Sequence, residues 1–505
     1  MNTYFVLPLS FPKAIKNRFS LLCLFFIMAN CTPGFSQVQL GVDIDGEASG
    51  DRSGFSVSLS SEGNHMAIGA PGNNGSEVGV GHVRVYAWDG SGWIQQGEDI
   101  EGASENDGSG YSVSMSADGS RLAISAISNA DNGINTGHVR VYSWDGARWA
   151  QLGADINGEA EGDQSGISIS LSANGNRLAV GSRQNAGNGM NAGHVRVYGW
   201  DDAEWVQLGV DIDGERGEQA GSSVSLSADG NRVAIGARFS NGNGGNSGKV
   251  RIYDWDGFGW VRLGADLDGE APGDQTGWSV SLSADGARLA IGAPPNDGNG
   301  DHSGHVRVYD WDSGNWVQLG NDIDGEAPGD RSGESVSLSA DGSHLAVGAT
   351  DNNGNGDKSG HVRVYRWDGA AWAQRGTDID GETANDQSGR TVSLSADGTR
   401  LAIGSSVNSG NGEEAGHVRV YGFIPNAVTG EALITIKAFP NPSSGEIYFS
   451  GVEADRVQLF DGMGRLLSTE EQPGRSINIS EVPMGMYLLK IGVGEKTYLA
   501  RVVKQ

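Results

Sequence analysis

The stretch GWSVSLSADGARLAIGAPPNDGNGDHSGHVRVYDWDSGNWVQLGNDIDGEAPGD occupies residues 277–330, and near copies of it fill most of the chain. Aligning the copies on their first glycine, which follows Ser, Thr or Ala, gives spacings of 55 or 56 residues by subtraction. A fixed period of this length predicts a repeat architecture with seven similar units. The aligned glycines are Gly54, Gly110, Gly166, Gly221, Gly277, Gly333 and Gly389.

Each period contains four segments that read as β-strands. SVSLS alternates polar and apolar residues and leads to an Asp-Gly turn, which favours a hairpin to the second strand, RLAIGA. HVRVYDW follows as the third strand, and a W-D-x-x-x-W turn leads to the fourth, WVQLG. Four antiparallel strands repeated radially form propeller blades. The sequence therefore predicts an all-β, seven-bladed β-propeller.

The seventh copy is incomplete in a way that predicts a closed ring. It ends at GHVRVYGF without a fourth strand, while the missing piece, residues 37–43, precedes the first copy. A linear array has no use for this split, but in a ring the N-terminal strand can complete the last blade. We expect residues 38–41 to pair with residues 417–422 as the outermost strand of blade 7.

The tryptophans fit the same register. Twelve of the thirteen form six pairs of the type Trp311 with Trp316, which the hairpin turn places across from one another. Such an aromatic pair contributes about 0.5–1.5 kcal/mol beyond the burial of its area. We therefore interpret the pairs as structural, with carbohydrate stacking as the alternative.

Composition and charge limit the possible partners. The 505 residues include 81 glycines, an excess that indicates many turns, and carry a formal net charge of −28. This charge argues against nucleic acid and anionic membranes as partners, and it favours cations or cationic partners. We expect a monomer.

The first 36 residues read as a secretory signal peptide. Lys13, Lys16 and Arg18 precede an apolar run over residues 21–28, which is too short to span a bilayer. Both cysteines, Cys23 and Cys31, lie in this leader, so we expect a mature protein without thiols. A lipoprotein anchor at Cys31 is the alternative.

The repeats resemble the FG-GAP repeats of integrin α-chain propellers and their bacterial relatives. The matching pieces are SGFSVSLS with AIGAP in the first copy and GWSVSLS with AIGAP in the fifth. In that family a calcium loop, D-x-D-x-D-G, joins strands one and two. Here Ser114 and Ser116 stand at the earlier ligand positions before Asp118, so calcium binding is not carried over to this turn.

The long connections are rich in Asp, Asn and Gly, and we expect them at one face, the top. Acidic residues at these spacings suit Ca²⁺, which is the one possible cofactor. The preferred alternative is that they form turns and pair with the arginine of each third strand. The candidate metal ligands are Asp266, Asp268, Glu270, Asp274, Asp322, Asp324, Glu326 and Asp330. Residues 351–357 resemble an EF-hand loop but lack its late glutamate.

The positions that break the repeat are candidates for ligand binding. Two of them should lie at the top near the axis, although tolerance to drift is an equal alternative. The residue after the aligned glycine is Phe55, Tyr111, Ile167, Ser222, Trp278, Glu334 or Arg390. The residue that ends the second strand is Pro71, Ile127, Arg183, Arg238, Pro294, Thr350 or Ser406.

We expect the protein not to be an enzyme. An enzyme needs an asymmetric set of groups, such as a nucleophile with its base, and near-identical blades disfavour one. The histidines that repeat on the third strands, with Lys249 in one copy, lie too far apart to share a metal, so we interpret them as structural. The preferred function is binding or adhesion toward a surface glycan or protein. The alternatives are a polysaccharide hydrolase or lyase using top-face carboxylates, and a passive scaffold.

The tail reads as a separate small β-sandwich. FPNPSSG at residues 439–445, VQLFDGMGRLL at 457–467 and INISEVPMGMYLLKI at 477–491 alternate short strands with turns. These motifs resemble the type A C-terminal sorting domain of type IX secretion cargo. The resemblance implies interaction with that machinery and delivery to the cell surface or medium. The predicted boundaries are leader 1–36, propeller 37–423, linker 424–434 and sorting domain 435–505.

Overall fold

The computed structural model describes residues 35–425, 438–439, 444–449, 454–461, 466–493 and 496–504. Most of the predicted leader and linker lies outside these ranges. The chain divides into two compact units, Met1–Pro425 and Asn426–Gln505, which are described separately. Every regular element in the described ranges is a β-strand, so none of them contains a helix suited to crossing a membrane.

Seven antiparallel sheets, the blades of the propeller, make up the first unit. Blade 1 contains β3 (Ser56–Leu59), β4 (His65–Ala70), β5 (His82–Trp88), β6 (Trp93–Gln95) and β7 (Ile100–Glu101). Blade 2 contains β8 (Ser109–Met115), β9 (Arg121–Ala126), β10 (His138–Trp144), β11 (Trp149–Gln151) and β12 (Ile156–Asn157). Blade 3 contains β13 (Ser168–Leu171), β14 (Arg177–Ser182), β15 (His194–Trp200), β16 (Trp205–Gln207) and β17 (Ile212–Asp213).

The other blades repeat this order. Blade 4 contains β18 (Ser223–Leu226), β19 (Arg232–Ala237), β20 (Lys249–Trp255), β21 (Trp260–Arg262) and β22 (Leu267–Asp268). Blade 5 contains β23 (Ser279–Leu282), β24 (Arg288–Ala293), β25 (His305–Asp312), β26 (Asn315–Gln318) and β27 (Ile323–Asp324). Blade 6 contains β28 (Ser332–Leu338), β29 (His344–Ala349), β30 (His361–Trp367), β31 (Trp372–Gln374) and β32 (Ile379–Asp380). Blade 7 contains β33 (Thr391–Leu394), β34 (Arg400–Ser405) and β35 (His417–Pro425), with β1 (Phe35–Gln39) and β2 (Ile44–Asp45).

The outer strand of each blade is split in two, whereas the sequence predicted one continuous fourth strand. In blade 5, β26 and β27 both pair with β25. Gly320 lies between them at φ +79°, and a Cβ at this glycine would come within 2.9 Å of the Trp367 ring in the next blade. A tryptophan of the next blade packs on the backbone at the equivalent glycine of six blades, and Gln37 takes this place at Gly376 of blade 6.

The predicted closure of the ring is confirmed. β1 pairs antiparallel with β35, and Val38 lies opposite Gly422. The paired strand begins at Phe35, inside the predicted leader, because β35 continues to Pro425 and offers a partner there. Blade 7 is therefore built from both ends of the propeller sequence.

Apolar residues between neighbouring blades form the core. Seven clusters of buried side chains each combine the second and third strands of one blade with the first and second strands of the next. Between blades 7 and 1, Val418 and Val420 pack with Val57, Leu59 and Met66. Since this junction resembles the other six, the ring is continuous.

The tryptophan pairs hold neighbouring blades together. Their ring centroids lie 5.3–5.5 Å apart. The second tryptophan of each pair donates its indole N–H to a carbonyl of the preceding blade, as Trp316 does to Leu263 at 3.3 Å. The indole N–H is thus used within the protein, in agreement with a structural role.

The second unit contains two sheets that share one core. One sheet has the order β36 (Ala438–Phe439), β37 (Glu446–Phe449), β40 (Ser476–Asn478). The other has the order β39 (Leu466–Gly474), β38 (Ala454–Asp461), β41 (Gly485–Val493), β42 (Lys496–Lys504). Ile447 and Ile477 of the first sheet pack with Val457, Leu489 and Val502 of the second. This arrangement is a small β-sandwich, as predicted.

Candidate binding site at the axial mouth

The arginine repeated on the third strands ties six of the blades to the loop before them, whereas Arg140 of blade 2 pairs with Asp155 of the loop that follows. Arg307 donates to the carbonyl of Asp268 at 3.0 Å and lies 3.5 Å from the carboxylate of Glu270. Arg84 donates to the carbonyl of Asp45 at 2.6 Å and lies 3.7 Å from Glu47. The acidic loops therefore pair with these arginines, as the preferred sequence interpretation expected.

Several predicted calcium ligands already have partners within the protein. The carboxylate of Asp274 accepts the N–H groups of Glu270 at 3.0 Å and Ala271 at 2.8 Å. Asp330 accepts the equivalent pair from Glu326 and Ala327 at 3.2 and 2.9 Å. Both aspartates are buried and shape their own turns. Calcium binding by these loops stays a prediction.

Asp266 lies in a cluster of cations. Its carboxylate pairs with Arg262 and lies 3.2 Å from the Nζ of Lys249 and 3.6 Å from the Nε of Arg251. Asp268, in the same loop, is 4.0 Å from Lys249. Three cationic side chains around Asp266 leave its negative charge neutralised without a metal.

The structure groups the acidic residues across consecutive loops rather than within one loop. Glu270, from the loop before blade 5, and Asp322, from the loop before blade 6, both lie beside His305 with potential ligand atoms within 4.8 Å of one another. Similar groups recur in other blades. Sequence reasoning missed them because their members come from two different repeats. By contrast, Asp324 and Glu326 stay outside this trio, and Glu326 lies 3.5 Å from Arg363.

The repeated histidines are buried, which favours their neutral form. Burial, and then the charge of Arg307, lower the pKa of His305 to about 4, and burial lowers the pKa of the five equivalent histidines too. The Nδ1 of His305 lies 3.5 Å from Asp322. The predicted structural role agrees with this environment.

The segment that resembles an EF-hand loop uses its side chains on its own backbone. Asn352 accepts the N–H of Gly354 at 2.8 Å, and Asn353 accepts the N–H of Lys358 at 2.8 Å. Asp351 lies 3.5 Å from the Nζ of Lys358. These contacts form a turn, and calcium binding here also stays a prediction.

Several of the variable residues predicted at the top near the axis lie against one another. Phe55 of blade 1 and Tyr111 of blade 2 have ring centroids 4.8 Å apart. The guanidinium of Arg390, from blade 7, lies 4.4 Å from the centroid of the Phe55 ring. Three consecutive blades thus contribute one continuous surface.

A second group forms on the other side of the axis. Trp278 of blade 5 lies between two guanidinium groups, with Arg238 at 4.3 Å and Arg331 at 5.4 Å from its ring. Arg331 also pairs with Glu334 at 3.2 Å. Sequence reasoning missed Arg331 because it lies two residues before the aligned glycine, in a loop position outside the two considered. We call the two groups, together with Ile167, Ser222 and Arg183, the axial mouth.

A tight turn precedes the mouth residues that follow the aligned glycine. The residue two positions before the aligned glycine has a left-handed backbone, as at Gln164 (φ +53°) and Arg331 (φ +58°). Its carbonyl accepts the N–H of the mouth residue, for example from Ile167 to Gln164 at 3.2 Å and from Glu334 to Arg331 at 3.3 Å. The backbone is thus nearly constant while the side chain varies.

A cavity of about 520 Å³ opens beside Phe55 and Tyr111. Pro71 and Ile127 line it as well, so both variable positions of blades 1 and 2 meet at one site. Its volume lies within the range of ligand pockets, about 300–1,000 Å³. Arg52, at its edge, pairs with Glu414 at 2.6 Å.

Arg238 is the most electrostatically unusual group of the mouth. Its Nε is buried without a hydrogen-bond partner among the described residues. Burial, and then the charge of Arg183, lower the pKa of Arg238 to about 10, while Tyr111 and Glu334 act in the opposite sense. Arg183 itself has a neutral partner, the side-chain oxygen of Gln164 at 3.2 Å.

One loop position at the top rim carries different residue types in different blades. Blades 1–3 carry Val78, Ile134 and Met190, with 61–64% of each side chain exposed. We call these three residues the apolar rim. Blades 5–7 carry exposed acidic residues instead: Asp301, Asp357 and Glu413, which we call the acidic rim.

Two family profiles match parts of the chain. Residues 437–505 match the family profile of the secretion system C-terminal sorting domain, and residues 265–309 match that of the FG-GAP repeat. No curated protein matches the sequence. One similar solved structure is a proposed 6-phosphogluconolactonase from Bacteroides uniformis, with 12% identity and a TM-score of 0.47 over 65% of this chain and 86% of that chain.

The two family matches lie in different units. The FG-GAP match covers parts of blades 4 and 5, and the sorting-domain match covers the described strands of the second unit. The chain thus carries an FG-GAP repeat of a β-propeller and a type IX secretion C-terminal sorting domain, which implies its export by that system as a secreted or cell-surface protein.

Proposed function

We propose that this protein is a non-enzymatic binding or adhesion protein that holds a surface glycan or a protein ligand at the axial mouth. The proposal rests on the positions at which the blades differ in sequence. Blades that share one scaffold differ at residues that meet around one opening, such as Phe55, Trp278 and Arg390. A constant scaffold with a varied opening suits recognition rather than chemistry repeated in each blade.

The packing of the site supports binding. Aromatic and arginine side chains dominate the mouth, and these are the residue types that contribute most to binding interfaces. The half-buried Trp278 and Tyr111 present rigid rings at small entropic cost. Several carboxylates of the acidic loops, which the alternative enzyme would need, are engaged with arginines and backbone N–H groups.

The test is a binding screen with the exported, full-length mature protein against glycans and matrix proteins, with and without Ca²⁺. Reducing ends are measured in parallel. The proposal expects saturable binding to at least one ligand without its breakdown. Turnover of a polysaccharide would favour the alternative, a hydrolase or lyase.

A further inference from the structure

We propose that the axial mouth binds the carboxylate or sulfate groups of an acidic polysaccharide, which leaves the mouth over the apolar rim of blades 1–3. This inference rests on the proposed function and names the class of ligand. It is unexpected for a protein with a formal net charge of −28, which on charge alone favours cationic partners.

The charge of the mouth is opposite to that of the whole protein. Arg183, Arg238, Arg331 and Arg390 face a single glutamate, Glu334, among the residues that define the mouth. Guanidinium groups are weakly hydrated and present a planar fork that matches a carboxylate or sulfate. Because the arginines come from blades 3, 4, 6 and 7, they suit a ligand that carries several negative groups at intervals.

The buried guanidinium group of Arg238 favours the binding of an anion at the mouth. A cation whose buried Nε has no hydrogen-bond partner loses hydration without compensation. The neighbouring charge of Arg183 adds repulsion. An anion bound near these two arginines would reduce that repulsion, so its binding is favoured over an empty site.

The adjoining cavity provides the surface for a sugar ring. Its wall combines Phe55 and Tyr111 with Pro71 and Ile127, and Arg390 lies over the Phe55 ring that borders it. Aromatic rings offer an apolar face for the C–H side of a sugar, while the arginine can hold a charged substituent. A flexible acidic peptide would use the arginines but has less need of this wall.

The rim sets the direction in which a long anion extends. Asp301, Asp357 and Glu413 on blades 5–7 repel a polyanion, whereas Val78, Ile134 and Met190 on blades 1–3 do not. The cavity also lies at blades 1 and 2. The chain of the ligand therefore runs outward above the apolar rim.

The experiment measures binding of the full-length mature protein to immobilised polygalacturonate, dextran sulfate, neutral dextran and poly-L-glutamate. The variants are Arg238→Gln and Arg390→Gln, with Arg148→Gln as the matched control, because Arg148 is 79% exposed at an outer turn. We expect binding to at least one acidic polysaccharide, weakened at least tenfold by each mouth variant and by high salt, and unchanged in the control. The first two probes distinguish carboxylate from sulfate.

Two further variants test the direction in which the ligand leaves the mouth, and a thermal melt guards against misfolding. Met190→Asp should weaken binding several-fold, while Asp301→Asn should not weaken it. The Tm of Arg238→Gln should equal or exceed that of the unmodified protein, since the substitution removes a poorly compensated charge. A weakened variant with a normal Tm therefore reports on binding.

Other results would overturn the inference. Equal binding of neutral dextran, unchanged binding by both arginine variants, or binding of poly-L-glutamate alone would each contradict it. If a different ligand is lost on Phe55→Ser but kept in the arginine variants, this inference fails while the proposed function stands. If no ligand responds to any mouth variant, both fail.

Discussion

Val38 lies opposite Gly422 across an antiparallel strand pair, and through this pair the N-terminal strand completes the last blade. Two residues further along, Leu40 donates its N–H to the carbonyl of Val420 at 2.7 Å. The carbonyl of Leu40 in turn accepts the indole N–H of Trp93 in blade 1 at 3.1 Å. One short segment therefore joins blades 7 and 1.

We predict that Leu40→Pro destabilises the propeller, because it removes the N–H that pairs with Val420. The loss of such a bond costs about 1–3 kcal/mol. The matched control is Leu152→Pro, since Leu152 makes the equivalent 2.7 Å bond to Val141 inside blade 2. Chemical denaturation should show that the two variants lose similar amounts of unfolding free energy. If Leu40→Pro left the free energy of unfolding unchanged while Leu152→Pro lowered it, the account of ring closure would be contradicted.

Acidification should destabilise the propeller through its buried histidines. Burial, and then Arg307, lower the pKa of His305 to about 4, while Asp322 and Asp274 act in the opposite sense. Between its ordinary pKa of 6.5 and about 4, the unfolded chain binds a proton that the folded chain does not. The contribution of His305 to the unfolding free energy is therefore complete above pH 6.5 and is lost as the pH falls, by on the order of 1–3 kcal/mol.

Urea unfolding across this pH range measures the effect. His305→Gln should make the dependence of unfolding free energy on pH less steep, with the exposed His302→Gln as the control. A slope that is the same in His305→Gln and the unmodified protein would show that this histidine does not carry the effect.

The buried carboxylate of Asp274 should stabilise its turn without any metal. Asp274→Ala removes the acceptor of two backbone N–H groups, so we expect a loss of about 1–2 kcal/mol. In thermal melts at matched ionic strength, Asp274→Ala should lower the Tm equally with millimolar Ca²⁺ and with chelator. A calcium-dependent rise of Tm that disappears in Asp274→Ala would instead support the predicted calcium site.

Removal of the chain from Phe439 onward should leave the propeller folded but prevent its release from the periplasm. The buried core of the tail comes from the second unit alone, and the inter-blade clusters come from the first. Cell fractionation and a thermal melt of the retained protein check both parts. Normal surface delivery of the truncated protein would contradict the role of the sorting domain.

The closed ring could be predicted from the sequence repeat, but contacts between residues of different repeats were harder to predict. The split copy predicted the pairing of residues 38–41, although the continuation of β35 to Pro425 moved the strand to Phe35. The alignment also predicted that Phe55 and Tyr111 lie at one opening. The stack of Arg238, Trp278 and Arg331 could not be predicted in this way, because its members occupy different positions of different repeats.

The central claim is that ligand binding takes place at the axial mouth, and a double variant of its aromatic wall tests this most directly. Phe55→Ser with Tyr111→Ser should reduce the affinity for the best ligand of the screen at least tenfold, measured by calorimetry on protein of unchanged Tm. Phe258→Ser is the control, since Phe258 is 93% exposed at an outer hairpin turn, and it should bind like the unmodified protein. Undiminished affinity in the double variant would place the ligand elsewhere and contradict the account.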